Sequence, residues 1–155
     1  MLVYEENSLT GFVEPIWLYP APPPALSSLV PYEIRRELEE ARGCLRYRMH
    51  TAAAVMAGRA LEGIAKLKGV EARGLHRCIE VLAQQGILDG RFVDWAHKLK
   101  VLRNQAAHFT GEEVVREDAE DAVALVEAIA TYIYVFTSRF DEFMSRRDEG
   151  SSPAT

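Results

Sequence analysis

The chain is poor in cysteine, in net positive charge and, beyond its first fifth, in proline. Its 155 residues hold two cysteines, Cys44 and Cys78. Two are too few for a disulfide framework, so packing has to hold the fold, and both thiols are expected to be free in a reducing cytoplasm. Six of the seven prolines lie at or before residue 31, so little remains downstream to break a helix. Lys+Arg number 18 against 23 Asp+Glu, a formal charge of −5. That balance argues against a general nucleic-acid coat protein. No basic and apolar leader opens the sequence, so no targeting signal is expected. The longest apolar stretch, residues 122–136, is interrupted by Glu127. It falls short of the ~18–20 residues a membrane span needs, so no membrane partner is expected. What is present is ordinary globular material, 48% hydrophobic and 26% charged. A chain of this length suits one domain that buries roughly 68–70% of its unfolded surface.

Charge is unevenly spread. Residues 1–30 carry −3, residues 31–110 carry +5 and residues 111–155 carry −7. The mild overall acidity hides a basic middle between acidic ends. Three segments are expected: an extended Pro-rich arm over 1–30, a helical domain over 31–147 and a disordered tail over 148–155. Pro15, Pro20, Pro22, Pro23 and Pro24 keep the arm out of helix, and Pro22–Pro24 suit polyproline II. Yet Phe12, Ile16, Trp17, Leu18 and Tyr19 are too apolar for a free tail. The arm is expected to lie across this chain's own core or across a partner protein.

From Pro31 onward the apolar spacing is helical. Helix one is predicted over 31–47, with Ile34, Leu38, Ala41 and Leu45 inward. Helix two is predicted over 51–68, with Thr51 as N-cap and Gly69 as stop. Its small-residue face is Ala52, Ala53, Val55, Met56, Ala60, Ile64 and Leu67. Helix three is predicted over 75–85, stopped by Gly86. Helix four follows Asp89-Gly90, with a stripe of Phe92, Trp95, Ala96, Leu99, Leu102 and Ala106. Helix five is predicted from 114–117 to Met144. Acidic Glu117, Asp118, Glu120 and Asp121 suit its start. Its buried stripe is Ala119, Val123, Val126, Ala130, Ile133 and Phe136/Phe140. No alternating run carries hairpin chemistry. The expected fold is an all-α, up-and-down bundle of four to five helices with an extended N-terminal arm.

The histidines are His50, His76, His97 and His108. No CxxC or HExxH occurs, none is read as paired with a carboxylate on one helix, and His76 and Cys78 at i and i+2 diverge. Neither a metal nor a cofactor is expected. The segment that can carry chemistry runs from Leu99 to His108. Asn104 and His108 are four apart and share a helical face. Arg103 lies about 140° round the axis from His108, within reach of its long side chain. Ala106 and Ala107 leave room above them. Residues 91–108 carry a local +3, so a phosphate-bearing ligand would meet charge and a titratable imidazole together. The same residues also suit plain capping of a helix C-terminus. Arg59 and Glu62, at i and i+3 on helix two, form a second constellation. Either they pair with each other, or they face His108 and tune it.

Arg103-Asn104-Gln105-Ala106-Ala107-His108 resembles the Arg-x4–6-His signature of the HEPN superfamily. The ordered set from Ala52 through Arg59 and Glu62, then Leu75, Ile79, Leu82 and Trp95-Ala96-His97 to His108, resembles one bacterial branch. That branch is called domain of unknown function 4145. The likeness spans about residues 17–140. Lys100 stands where some relatives place the motif arginine, and Thr110 where the toxin branch often has tyrosine. The resemblance implies a helical homodimer whose two motifs meet at the interface. In active members this makes a metal-independent endoribonuclease acting in defence or stress response. It implies His108 as general acid or base, Arg103 as phosphate clamp, Asn104 as orienting group, and Arg59, Glu62 and Lys100 in support. RNA is the implied substrate. The other class of reading is a non-catalytic helical module for dimerisation or protein interaction, with the Pro-rich arm as one contact.

Overall fold

The computed structural model describes residues 2–6, 13–17, 24–72, 74–98 and 114–150, the two arm segments by backbone alone. In the arm, β1 (Leu2–Glu6) pairs antiparallel with β2 (Val13–Trp17), Leu2 opposite Trp17 and Glu6 opposite Val13. The arm is extended, as expected, but the hairpin is a correction to a reading that saw no such chemistry. Both strands of a two-stranded ribbon are edges, so Pro15 can sit mid-strand opposite Tyr4 without breaking an inner ladder. Pro22 and Pro23 lie outside the described residues. Past them the chain is tied to the body. The Pro24 carbonyl accepts a hydrogen bond from Arg42 Nη1 at 2.8 Å, Leu26 packs on the core, and Val30 is buried.

The body is all helical, with five helices among the described residues. They are α1 (Tyr32–Arg46), α2 (His50–Leu67), α3 (Leu75–Gln84), α4 (Gly90–Lys98) and α5. Helix α5 is continuous through three parts: Arg116–Ala130, a π-helical turn at Thr131–Phe136, and Thr137–Gly150. Helix α2 is central and packs on α1, α3 and α5, while α4 bridges α3 and α5. Their shared core holds Ile34, Leu38, Leu61, Ile64, Ile79, Leu82, Leu125 and Ile129. Close approach needs small residues. A Cβ on Gly63 would sit 2.7 Å from Ile34 Cδ1, so the bare backbone there lets α1 lie against α2.

The stops are as predicted, and they share one geometry. Gly69 has φ +75°. Its N–H meets the Lys66 carbonyl at 3.0 Å, and the Val70 N–H meets that of Ala65 at 2.8 Å. This is a Schellman cap with its apolar residue, Val70, tucked into the core. Gly86 and Ile87 repeat it on α3. The same bonds end α1, with Arg48 in the left-handed position at φ +57°.

Several finer expectations are corrected. Helix α2 starts at His50, so Thr51 lies inside the first turn and caps nothing. Its buried face is Ala53, Ala54, Ala57, Ala60, Leu61, Ile64 and Ala65, while Ala52 and Leu67 face out. With small residues running through its first turns, spacing alone could not set the register of that stripe. On α1, Cys44 and Glu37 are buried and Leu45 only half so. On α4, Ala96 is buried and Trp95 exposed, while Leu99, Leu102 and Ala106 lie outside the described residues.

Helix α5 runs to Gly150, past the predicted end at Met144. Ala119, Val123, Val126, Ala130 and Ile133 are buried as predicted, but Phe136 is 58% and Phe140 52% exposed. Two causes act together. The π turn adds a residue to the repeat and rotates the helix beyond it by about 100°. The helix is also 35 residues long, roughly 52 Å at 1.5 Å per residue, and outruns the other helices among the described residues. By length and composition alone, Arg116–Asp148 is long and apolar enough to cross a membrane. The same apolarity serves the core here, where the stripe from Ala119 to Ile133 is buried and Glu127 is ion-paired to Arg42.

Candidate functional site

The motif residues Lys100, Arg103, Asn104 and His108 lie outside the described residues. Their flanks are placed. Helix α4, described over Gly90–Lys98, precedes the motif in the chain, and α5, from Arg116, follows it. The start of α4 is capped by Asp89, whose carboxylate accepts the Arg91 N–H at 2.9 Å and the Arg91 Nε–H at 3.0 Å. These hydrogen bonds hold the Asp89 carboxyl below the usual carboxylate range.

The second constellation is resolved differently from either expected form. Arg59 does not pair with Glu62. It reaches across to α1 and grips Glu37, Nε to Oε2 at 2.8 Å and Nη2 to Oε1 at 3.1 Å. Arg36 adds a bond to Glu37 Oε1 at 3.2 Å. Burial pushes the Glu37 carboxyl up, but the two arginines outweigh it and hold the group below its ordinary value. Glu37 is the one buried charged residue among those described. The sequence marks Glu37 only as an acid that, with Glu33, suits the start of helix one; the pairing crosses 22 positions of chain. Glu62 acts elsewhere. Its Oε1 accepts the Gly74 N–H at 3.2 Å, just before α3. The Arg59 guanidinium stays largely exposed, with its outer face open.

A family model described as "Domain of unknown function (DUF4145)" matches residues 39–146. The chain belongs to this family. No curated protein and no solved structure matches the chain.

The DUF4145 match takes in Arg59, Glu62 and the motif positions, but begins after Glu37. Within it, two more clusters stand out. Along the second half of α5, Tyr132 stacks on Phe136 at 5.7 Å and meets Phe92 of α4 edge-on at 5.3 Å. A groove of about 550 Å³ runs beside them, lined by Lys68, Ile87, Phe136 and Phe140. Tyr134 has its hydroxyl buried with no hydrogen bond among the described residues, and burial pushes its pKa up. Lys68 Nζ sits 5.0 Å from its ring centroid. The other cluster is His76, Glu80 and His97. His76 and Glu80 are four apart on α3, a spacing the sequence reading overlooked, and His97 joins them from α4.

Both cysteines are free and buried. Cys78 donates its thiol hydrogen to the Ala72 carbonyl at 3.3 Å. Burial first, and the Glu62 charge second, push it up to about 11. It is a core thiol, not a nucleophile.

Proposed function

We propose that this DUF4145 protein is a HEPN-like homodimer that cleaves RNA without a metal ion, using Arg103, Asn104 and His108. The observation that carries the reading is the hexapeptide Arg103–His108, set in chain order between α4 and α5 of an all-helical body. The basic charge of residues 31–110 supports it.

The chemistry needs only these groups. His108 takes the proton of a ribose 2′-hydroxyl. The 2′-oxygen forms a bond to the adjacent phosphorus, and the bond from phosphorus to the 5′-oxygen breaks. That oxygen takes up a proton, given by an imidazolium. The products are a 2′,3′-cyclic phosphate and a 5′-hydroxyl. Arg103 offers a bidentate fork to the phosphate oxygens as charge grows on them. Asn104 orients the imidazole or the phosphate. DNA lacks the 2′-hydroxyl and so is no substrate. Arg59, with its open outer face, and Lys100 add positive charge for the strand.

The test is RNA cleavage in excess EDTA by wild type and by His108→Ala. Cleavage that survives chelation, ends in cyclic phosphate and falls by about 100-fold or more in the variant supports the reading. A wild-type dimer that cleaves no RNA overturns it. A second reading, a non-catalytic interaction module, is favoured by one observation: Phe136, Phe140, Phe143 and Met144 are exposed on one helix.

A further inference from the structure

Between α3 and α4, His76, Glu80 and His97 bring their ligand atoms within 4.8 Å of one another. We propose that these three side chains bind one divalent transition-metal ion of the Zn2+ type, and that the ion fastens α4 to α3.

The donor set selects the class of ion. Two imidazoles and one carboxylate suit zinc, nickel, cobalt or copper, whereas magnesium and calcium prefer oxygen throughout. The geometry lies close to what such an ion needs. Tetrahedral zinc with bonds of about 2.0–2.1 Å sets its ligand atoms about 3.3 Å apart. His76 Nε2 already stands 3.8 Å from Glu80 Oε1. The 4.8 Å spread closes by small side-chain rotations, which the exposed His97 and the half-buried His76 and Glu80 permit.

Three details point the same way. The His76 and His97 rings meet edge to face, centroids 4.3 Å apart and planes at 86°. Arg77 Nη1 holds Glu80 Oε2 at 3.2 Å and leaves Oε1 turned toward His76. A carboxylate oriented by an outer partner is a recurrent feature of metal sites. Third, His76 Nε2, the nitrogen turned toward Glu80, stands beyond hydrogen-bond reach of that carboxylate and makes no hydrogen bond among the described residues, so its lone pair is free to ligate.

The location gives the ion a role. Helix α4 is described over Gly90–Lys98, where Ala96 alone is fully buried. His97 lies beside the last described residue of that helix, so a bond from His97 to α3 fixes α4 on the side from which the chain continues toward Arg103. Three protein ligands leave one tetrahedral position for water. The ion holds structure; it takes no part in the RNA chemistry proposed above, and binding is measured without reference to cleavage.

Full-length protein stripped with chelator and titrated calorimetrically with Zn2+ gives one site per chain in the micromolar range or tighter. His97→Ala and Glu80→Gln each weaken it by about tenfold or more, and His50→Ala does not. Added Zn2+ raises the melting temperature of wild type and leaves that of His97→Ala unmoved. Co2+ gives a visible spectrum lacking the thiolate band that Cys44 or Cys78 would produce. His97 is exposed, so its loss spares the core. No heat with Zn2+, or equal affinity in wild type and His97→Ala, overturns the proposal, as does a thiolate band with Co2+.

Discussion

Arg48 occupies a backbone position that glycine fills at the ends of α2 and α3. The left-handed region costs a residue with a Cβ roughly 1–2 kcal/mol, and glycine's extra freedom in the unfolded chain gives back about 0.5–1. Among the described residues Arg48 forms no salt bridge, so its removal breaks no ion pair there. Arg48→Gly is therefore expected to stabilise the protein by about 0.5 kcal/mol, a rise in melting temperature of about 1–2 °C. A thermal melt reads this directly, and a lower melting temperature would count against strain at φ +57°. The bulk of the cap was visible in the sequence at Gly69 and Gly86. At Arg48 it was not, because no glycine marks the turn. The structure reveals it through Arg48 N–H on the Leu45 carbonyl at 3.0 Å and Met49 N–H on that of Cys44 at 2.8 Å.

At the scale of elements, two charged clamps cross between helices whose packing faces are otherwise apolar. Arg42 of α1 holds Glu127 of α5 with two bonds, Nη2 to Oε2 at 2.9 Å, while its Nη1 reaches Pro24. Arg59 of α2 holds Glu37 of α1. The second makes a pH prediction. The folded protein keeps the Glu37 carboxyl below its ordinary value, so the folded state binds this proton less readily than the unfolded chain does. The stabilisation is in force above the usual carboxylate range and fades as pH falls through and below about 4.5. Glu37→Gln should melt lower than wild type at pH 7, and the gap should shrink by pH 4. An unchanged gap across that range would mean that the Glu37 charge contributes nothing. Neither clamp was legible beforehand, because each partner lies far off in sequence: 85 positions separate Arg42 from Glu127. What was legible was local: helix order, the stripe from Ala119 to Ile133, and the glycine stops. The register of α2 was hidden by its run of alanines, and the turn of α5 by a π segment that carries no sequence mark. His76 and Glu80 were visible at helical spacing and were overlooked; His97 could join them only once α4 had been placed beside α3.

For the whole molecule, the overhang of α5 decides what the proposed dimer can use. Phe136, Phe140 and Met144 are spaced by four, and Phe143 lies one residue from Met144, so they form one stripe on a helix. All are 42–58% exposed, and no other element among the described residues covers them. A self-complementary stripe is what a two-fold contact needs, since each residue meets its own copy or a neighbour of it. The flanks carry Arg139, Asp141, Glu142, Arg146 and Arg147, and these mixed signs allow an antiparallel copy to approach without net repulsion. The expectation is a solution mass of twice 17.4 kDa by light scattering at micromolar concentration. The double variant Phe136→Asp, Phe140→Asp should run as a monomer with unchanged helical content, because neither ring belongs to the core. A wild type that stays monomeric removes the dimer and with it a site shared by two His108 side chains. A double variant that still dimerises places the contact elsewhere and leaves this stripe to the interaction reading.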